Sequence, residues 1–541
     1  MGFEDVFTMD SLSPQFEFHV QMSATTRKAD VAASKYVFLV EFAVRHPDFQ
    51  VAELESVLDM FDVRDVEVLP LPAPHVDSHR PFCILSLPLD SKWVPRCFQV
   101  GKENDQKEDI GRLILDRCTL VRSVIEMWGA APTIAACVSE TLEWTTSHAV
   151  GQRIFEHCAD ASQSWKCTIQ TLGTKYSRED QDTMRLHFSK LNFKGPVRMK
   201  ANHNEYVLIR EIELNLNGAP VITQSTTEKA EAVAWYYGRA LGNAGRSKGR
   251  LNGKLDSYSL KKRSYLGPTS MDAELSSIMT NLGQVRRGHI VLDPFCGTGS
   301  ILLSCGLRGA FCVGTDIDIR VIRGHSQEKS VVGNFFQYKL PRPEIIRCDN
   351  HSYKRHWRLT TSNLYDAIVC DPPYGIRAGA RKSGSKRNVI KPVVDRHDHI
   401  AQTQPYDVAE VLSDLLNMAA LTLRMNGRLV YVIADDDSHK PEHPSFRLVH
   451  SCFQPLNEVY GRRFVVLEKI KDYDPEEAKA SSCIVLSSNL REKIEAAAKQ
   501  KPHYAEKAAL RKEKRRKQRL EKTASKKVKA DDGGDKDVDR T

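Results

Sequence analysis

The rhythm of residues 264–471 constrains this chain more than any other feature. Short apolar stretches at Ile290 to Leu292, Phe311 to Thr315, Glu344 to Arg347, Ala367 to Cys370 and Arg428 to Ile433 are mostly separated by segments of helical character. Strands alternating with helices commit a chain to an open, mostly parallel α/β sheet of the Rossmann-like kind. A late pair, Phe446 to Val449 and Arg463 to Glu468, is expected to close the sheet as antiparallel edge strands. Ligands of such sheets sit outside the carboxyl ends of the strands. The residues that follow each strand are therefore where chemistry is expected.

The first strand runs into Asp293-Pro-Phe-Cys-Gly-Thr-Gly-Ser300. Gly297 and Gly299 permit a tight turn and close backbone approach, and a helix starting behind them offers free N–H groups to a ligand. The spacing is not GxGxxG and no P-loop Lys follows, which weakens dinucleotide and ATP readings. Asp316 follows the second strand, where a carboxylate can accept two ribose hydroxyls. Asp349 follows the third and can accept an adenine amino group, with Asp318 a second choice. The plainer reading of either Asp is a helix N-cap. Phe295, Thr298, Ile317 and Asn350 flank these acids and complete the candidate cofactor set.

The fourth strand ends in Asp371-Pro372-Pro373-Tyr374-Gly375. An exocyclic amine is a poor nucleophile because its lone pair is delocalised into the ring. Acceptors on both of its N–H bonds favour a geometry from which nitrogen can attack, and Asp371 with the Pro372 carbonyl can supply them. Two prolines stiffen the loop, and Tyr374 offers a face on which a base can stack. An activated methyl donor then needs proximity and in-line alignment, and the target base must be unstacked or flipped. The following segment carries Arg377, Arg381 and Lys382, and Lys261-Lys262-Arg263 precedes the α/β region. Each cation is readable as a phosphate contact or as part of a solvated loop.

A chain of 541 residues exceeds one core. Upstream, Tyr36 to Phe42 and Phe82 to Leu87 read as strands, Val51 to Met60 as a helix, and Val121 to Trp128 as a strand or a short helix. Trp165 to Thr171 and Tyr206 to Leu214 read as strands flanking a helix from Arg178, with Ser177 and Asp180 forming a capping box. The formal charge of +9 is concentrated late: residues 501–530 hold 13 Lys and Arg against 3 Asp and Glu. Net charge therefore does not imply a basic face on the folded domains. The 13 Cys include no CxxC pair, so a reducing, intracellular setting is expected and no bound metal. No stretch approaches the roughly 20 apolar residues of a membrane span. The localisation expected is cytoplasmic, with a nuclear pool allowed by the basic tail.

Taken together, YVFLVEFAVRHPDFQVAELESVL at 36–58, VRSVIEMWG at 121–129, LNFKGPVRMK at 191–200, SYSLKKRSYLGPTSMDAELSSIMTN at 257–281, DPFCGTGS at 293–300, GTDID at 314–318, DPPYGIRAGARKSG at 371–384 and RRFVVLEK at 462–469 resemble the eukaryotic tRNA (guanine-10-N2)-methyltransferase catalytic subunits, a THUMP-containing family. The resemblance implies a class I methyltransferase domain over 264–471 using S-adenosyl-L-methionine. It implies that an α+β ferredoxin-like domain (34–150) and a THUMP domain (151–215) precede it, the latter gripping the tRNA acceptor end. Residues 1–33 are then a flexible N-terminus, 216–263 a linker and 472–541 a charged tail. It further implies cofactor roles for Thr269, Ser270, Asp293, Gly297, Gly299, Asp316 and Asp349, and catalytic roles for Asp371, Pro372 and Tyr374 with Pro373 between them. RNA contacts are expected at Phe193, Lys194, Lys261, Lys262, Arg263, Arg377, Arg381 and Lys382. A small zinc-binding activator subunit is the implied protein partner, covering an apolar strip of the catalytic domain. The alternatives are an N2-guanine methyltransferase acting near the acceptor stem at another tRNA position, and a non-catalytic RNA-binding scaffold.

Overall fold

The computed structural model describes residues 35–73, 75, 78–93, 110–172, 176–215, 218–221, 232–243, 252–357, 363–373, 380–384, 402–435, 442–456 and 461–480. The expectations for residues 1–33, for the basic tail beyond 480, and for Tyr374, Gly375 and Arg377 lie outside the described residues.

The N-terminal half is built on one seven-stranded sheet. Its elements are β1 (Lys35–Phe42), α1 (Pro47–Met60), β2 (Glu67–Pro70), β3 (Ser78–His79), β4 (Phe82–Pro88), α2 (Ile110–Arg117), β5 (Val121–Ala131), α3 (Ile134–Thr146), α4 (Ala149–Cys158), β6 (Trp165–Thr171), α5 (Arg178–Leu186), β7 (Asn204–Ile212), β8 (Leu214–Asn215) and β9 (Ala232–Asn243). The strand order is β2-β4-β1-β5-β9-β7-β6, antiparallel except for β6 beside β7. Val121 to Trp128, ambiguous in sequence, belongs to a strand because its apolar run is buried between β1 and β9. Ser177 and Asp180 make both bonds of the capping box at the start of α5.

The span 216–263, expected as a linker, contains a strand of the N-terminal sheet. Its residues 232–243 form β9, which lies between β5 and β7 and makes the two expected N-terminal domains share one continuous sheet. Trp235, Tyr236 and Tyr237 are buried in it. Gly238 is required where β9 passes β5, because a Cβ there would sit 2.0 Å from the Glu126 carbonyl oxygen.

The second sheet has the order β12-β11-β10-β13-β16-β18-β17. Its region comprises α6 (Ala273–Leu282), β10 (Ile290–Asp293), α7 (Ser300–Leu307), β11 (Phe311–Asp316), α8 (Ile319–Arg323), α9 (Val331–Gln337), β12 (Glu344–Arg347), α10 (Tyr353–His356), β13 (Tyr365–Cys370), β14 (Arg381–Ser383), β15 (Thr403–Pro405), α11 (Val408–Thr422), β16 (Leu423–Asp435), β17 (Phe446–Pro455) and β18 (Gly461–Lys469). β10 to β13 and β16 are parallel. β18 inserts antiparallel between β16 and β17, so the late strand pair closes the sheet as expected. Alternate side chains divide the core: Val291, Val369 and Val430 pack toward α6 and α7, and Leu292, Ile368 and Leu429 toward α11. The order of connection reverses between β10 and β13, which is where an open α/β sheet presents its ligand crevice.

α1 joins the halves. Pro47 opens it, a position where the missing N–H costs nothing. Phe49 packs edge-on against Phe464 of β18, with centroids 4.9 Å apart. Fully buried Glu53 accepts from Thr119 N, Leu120 N and Asn281 Nδ2 at 2.8, 2.9 and 2.6 Å. Arg428 of β16, also buried, donates to Ser56 Oγ and Asp59 Oδ2 at 3.1 and 3.0 Å. Buried charges of this kind are destabilising unless every partner is in register, so this seam fixes how the two halves meet.

Candidate active site

Four strand ends converge on the crevice. Behind β10, Asp293 Oδ1 accepts from Phe295 N at 3.0 Å, which starts the turn. Gly297 (φ 49°) and Gly299 (φ 77°) take left-handed conformations that side chains resist. A Cβ on Gly299 would also meet Val331 at 2.7 Å. α7 then begins at Ser300 with no side-chain cap, so its first N–H groups are available to a ligand.

Asp316, at the end of β11, binds this turn directly. Its Oδ2 accepts from Gly297 N at 3.0 Å and its Oδ1 from Asp318 N at 2.8 Å. Asp349 N-caps the turn after β12, accepting from His351 N at 3.1 Å, and its other oxygen accepts from Ser383 N at 2.8 Å. Asp318 caps α8 and is ion-paired to Arg320 at 2.6 Å. The capping reading and the ligand reading of these acids are thus compatible, because a carboxylate has about four acceptor positions.

The candidate catalytic corner follows β13. Register pairs Leu292 with Ile368, so Asp371 lies just past the level of Asp293 on the neighbouring strand. Burial raises the Asp293 pKa well above the usual carboxylate range, and the negative charges of Asp371 and Asp316 push it further. Burial also raises Asp316, against the lowering effect of its N–H donors. Among the described residues, no cation is a leading contributor to either shift. Three acids therefore share one low-dielectric crevice. Pro372 is buried beside them and Pro373 is half-buried.

The upstream segment forms another wall. Ser270 Oγ lies 2.9 Å from Thr298 Oγ1 and accepts from Gly267 N at 2.9 Å, while Thr269 is exposed. Two supports were not singled out from sequence. Asn334 Nδ2 donates to Tyr265 O at 2.9 Å and Thr298 O at 3.3 Å. The Tyr265 hydroxyl donates to Val321 O at 2.7 Å. Tyr265 lay inside the quoted segment, but no spacing signal marks Asn334.

Several candidate RNA contacts have partners within the protein. Arg263 is buried, 7% exposed, and donates to Ser300 Oγ at 2.8 Å, which straps the upstream segment to α7. Burial lowers its pKa to about 10. Phe193 packs against Tyr206, Trp165 and Phe155, with centroids 4.4, 4.8 and 5.5 Å away, so its ring belongs to the N-terminal core. Lys382 is ion-paired with Glu410 at 2.7 Å. Lys194 and Lys261 are exposed, Lys262 pairs with Asp256 at 2.7 Å on the surface, and Arg381 donates to Thr403 Oγ1 at 2.8 Å. A separate cleft of about 550 Å³, lined by His351, Arg355, Asp414 and Tyr473 among others, is bordered by none of the candidate cofactor residues.

Comparison with known proteins agrees with this layout. Residues 261–388 match the family model of an RMKL-like methyltransferase domain. Residues 98–246 match that of a Tmrp11 THUMP N-terminal domain. The tRNA (guanine(10)-N(2))-methyltransferase TRMT11 of Dictyostelium discoideum is 32% identical over 461 residues, covering 81% of this chain and 83% of the relative. The Homo sapiens TRMT11 is 29% identical over 457 residues, covering 81% and 89%. Among solved structures, TrmN from Thermus thermophilus aligns over 80% of this chain and 100% of its own, at 15% identity and a TM-score of 0.36. The identity to the Dictyostelium protein across four-fifths of both chains shows that this chain belongs to the tRNA (guanine(10)-N(2))-methyltransferase TRMT11 family.

Proposed function

We propose that the chain transfers a methyl group from S-adenosyl-L-methionine to the exocyclic N2 of guanosine 10 in tRNA. The observation that carries this reading is the cluster of three acids, Asp293, Asp316 and Asp371, between a glycine turn and a proline-stiffened corner, where among the described residues the main influences on Asp293 and Asp316 are burial, N–H donors and other acids. Such a crevice suits a cationic ligand. The donor set fits in two further ways. Gly297 and Gly299 add no side chains at two positions of the turn, and Asn350 Nδ2 is buried with no hydrogen-bond partner among the described residues.

When bound, the cofactor supplies a methyl group already activated on a sulfonium. Asp316 would hold its ribose, and Asp349 and Asn350 its base. The Asp371 carboxylate and the Pro372 carbonyl would accept the two N–H bonds of the guanine amine and aim its lone pair. Asp371 is an orienting acceptor, and the amine proton leaves to solvent after transfer. Catalysis on this account is alignment inside a preorganised field.

The N-terminal half offers a surface for the tRNA end. Lys194, Arg198 and Lys200 are exposed on one loop, together with Val197 (62%) and Met199 (75%). Cations beside exposed apolar side chains suit phosphates beside unpaired bases.

The activator subunit is placed, in this proposal, on the β12 edge. Gly314 faces Ile345 on the α7 side of the sheet, so alternation sends Ile346 to the opposite face, with Phe311 and Val313 of β11. Phe311 is 62% exposed and Ile346 47%. Parallel sheets bury both faces, and a small protein docked here would complete this one. Ile346→Glu is expected to abolish co-purification of the partner.

Mass-spectrometric nucleoside mapping of tRNA from cells lacking this protein tests the activity. Loss of N2-methylguanosine at position 10 is expected, and its persistence would refute the assignment.

A further inference from the structure

Lys382 lies in a basic segment, and its sequence surroundings suggest a phosphate contact. Its geometry points elsewhere. The ammonium is 2.7 Å from Glu410 Oε2, in the first turn of α11, and 5.3 Å from the centre of the Tyr406 ring. The side chain is only 13% exposed. The Lys382 hydrogen bond also holds the Glu410 carboxyl below the usual range.

What this pair holds is informative. Lys382 is the middle residue of β14, which pairs antiparallel with β15 over three residues. A two-stranded ribbon this short does not persist unaided. The next residue, Ser383, donates its N–H to Asp349. Ala380 and Tyr406, at the base of the hairpin, are buried with Val411 against Phe295 of the glycine turn. The Tyr406 hydroxyl donates to Asp414, which is also 2.8 Å from His351 Nδ1 in the turn after Asp349. The hairpin and α11 thus converge on the 349–351 turn and on Phe295, two walls of the crevice.

We propose that Lys382 is a positioning residue of the cofactor crevice: by pinning the β14–β15 hairpin to α11 it keeps Ser383 N–H on Asp349 and Ala380 on Phe295, and it makes no contact with RNA phosphate. This rests on the reading of the crevice given above. A partly exposed ion pair contributes modestly to overall stability, so its removal should release the hairpin without unfolding the domain.

Lys382→Met, Glu410→Gln and the double variant of the full-length chain separate the two roles. Binding of S-adenosylhomocysteine is read by calorimetry and binding of tRNA across a salt series. Each single variant should raise the S-adenosylhomocysteine dissociation constant about three- to fivefold. The double variant should add little to either, because the pair acts as one unit. The salt slope of tRNA binding should stay at the wild-type value. A slope lower by about one in Lys382→Met but not in Glu410→Gln would mark a phosphate contact and overturn the proposal. Unchanged S-adenosylhomocysteine affinity in both single variants would overturn it as well. If the wild-type chain bound no S-adenosylhomocysteine, the reading of the crevice would fall and the proposal with it. A failure of nucleoside mapping alone would remove only the assigned substrate.

Discussion

The acids of the N-terminal sheet and the acids of the cofactor crevice are buried in opposite ways. In the N-terminal sheet, Glu211 meets the Arg80 guanidinium through two bonds of 2.7 Å and accepts from the Tyr236 hydroxyl at 2.9 Å. Glu126 accepts from Arg239 and from the Trp128 indole, both at 2.6 Å, and from the Tyr36 hydroxyl. Lys166, itself buried, sits 2.9 Å from Glu205. In the catalytic sheet, Asp293 is as deeply buried and Asp316 partly so, and among the described residues they face N–H donors and other acids. An acid neutralised inside the protein has no remaining demand, and its role is to specify packing. An acid left in a shared negative field is under electrostatic tension that a cationic ligand relieves. Perturbed acids of the second kind mark functional sites more reliably than burial alone.

Four substitutions can break or sharpen that contrast. The largest effect is expected at Asp371→Ala. Methyl transfer to tRNA should fall roughly ten-thousandfold through lost alignment, with a much smaller loss of cofactor affinity, measured by single-turnover transfer and calorimetry. Glu211→Ala should strand the buried Arg80 and cost about 3–5 kcal/mol in denaturant unfolding, while cofactor binding by the folded protein is retained. Asp316→Ala should weaken cofactor binding by roughly ten- to a hundredfold, since it removes hydrogen bonds from a charged acceptor. Asp293→Asn should do something no neutralised acid can do, namely stabilise the unliganded protein at neutral pH by on the order of 1 kcal/mol while weakening the cofactor. The sign follows from burial. The folded pKa lies above the unfolded one, so wild-type stability falls as pH rises from about 4 through the folded value, and the Asn variant should lack that fall in melts across the pH range.

Much of this was legible in the sequence where local rules govern. The strand–helix rhythm, the glycine turn and the proline corner each depend on a few adjacent residues, and each lies at a strand end as expected. The capping box at Ser177 is equally local. β9 was hidden because the Gly, Ser and basic residues around it outweigh the short Ala232 to Tyr237 run, and its partners β5 and β7 are remote in sequence. Arg263 and Lys382 have partners that the sequence does not reveal, for the same physical reason. A cation's role depends on what it meets, and Ser300 and Glu410 stand 37 and 28 residues away. Phe193 shows the same for an aromatic: expected to contact RNA, it packs its ring in the fold against Trp165 and Tyr206.

One measurement bears most directly on the central claim, that the corner at Asp371 and Pro372 presents an exocyclic guanine amine to the methyl donor. Transfer of labelled methyl from S-adenosyl-L-methionine should be compared on two tRNA transcripts, one with guanosine at position 10 and one with inosine, which keeps the ring and lacks only the 2-amino group. The account predicts rapid labelling of the first and none of the second. Equal labelling of both would show that the methyl group goes elsewhere and would contradict it.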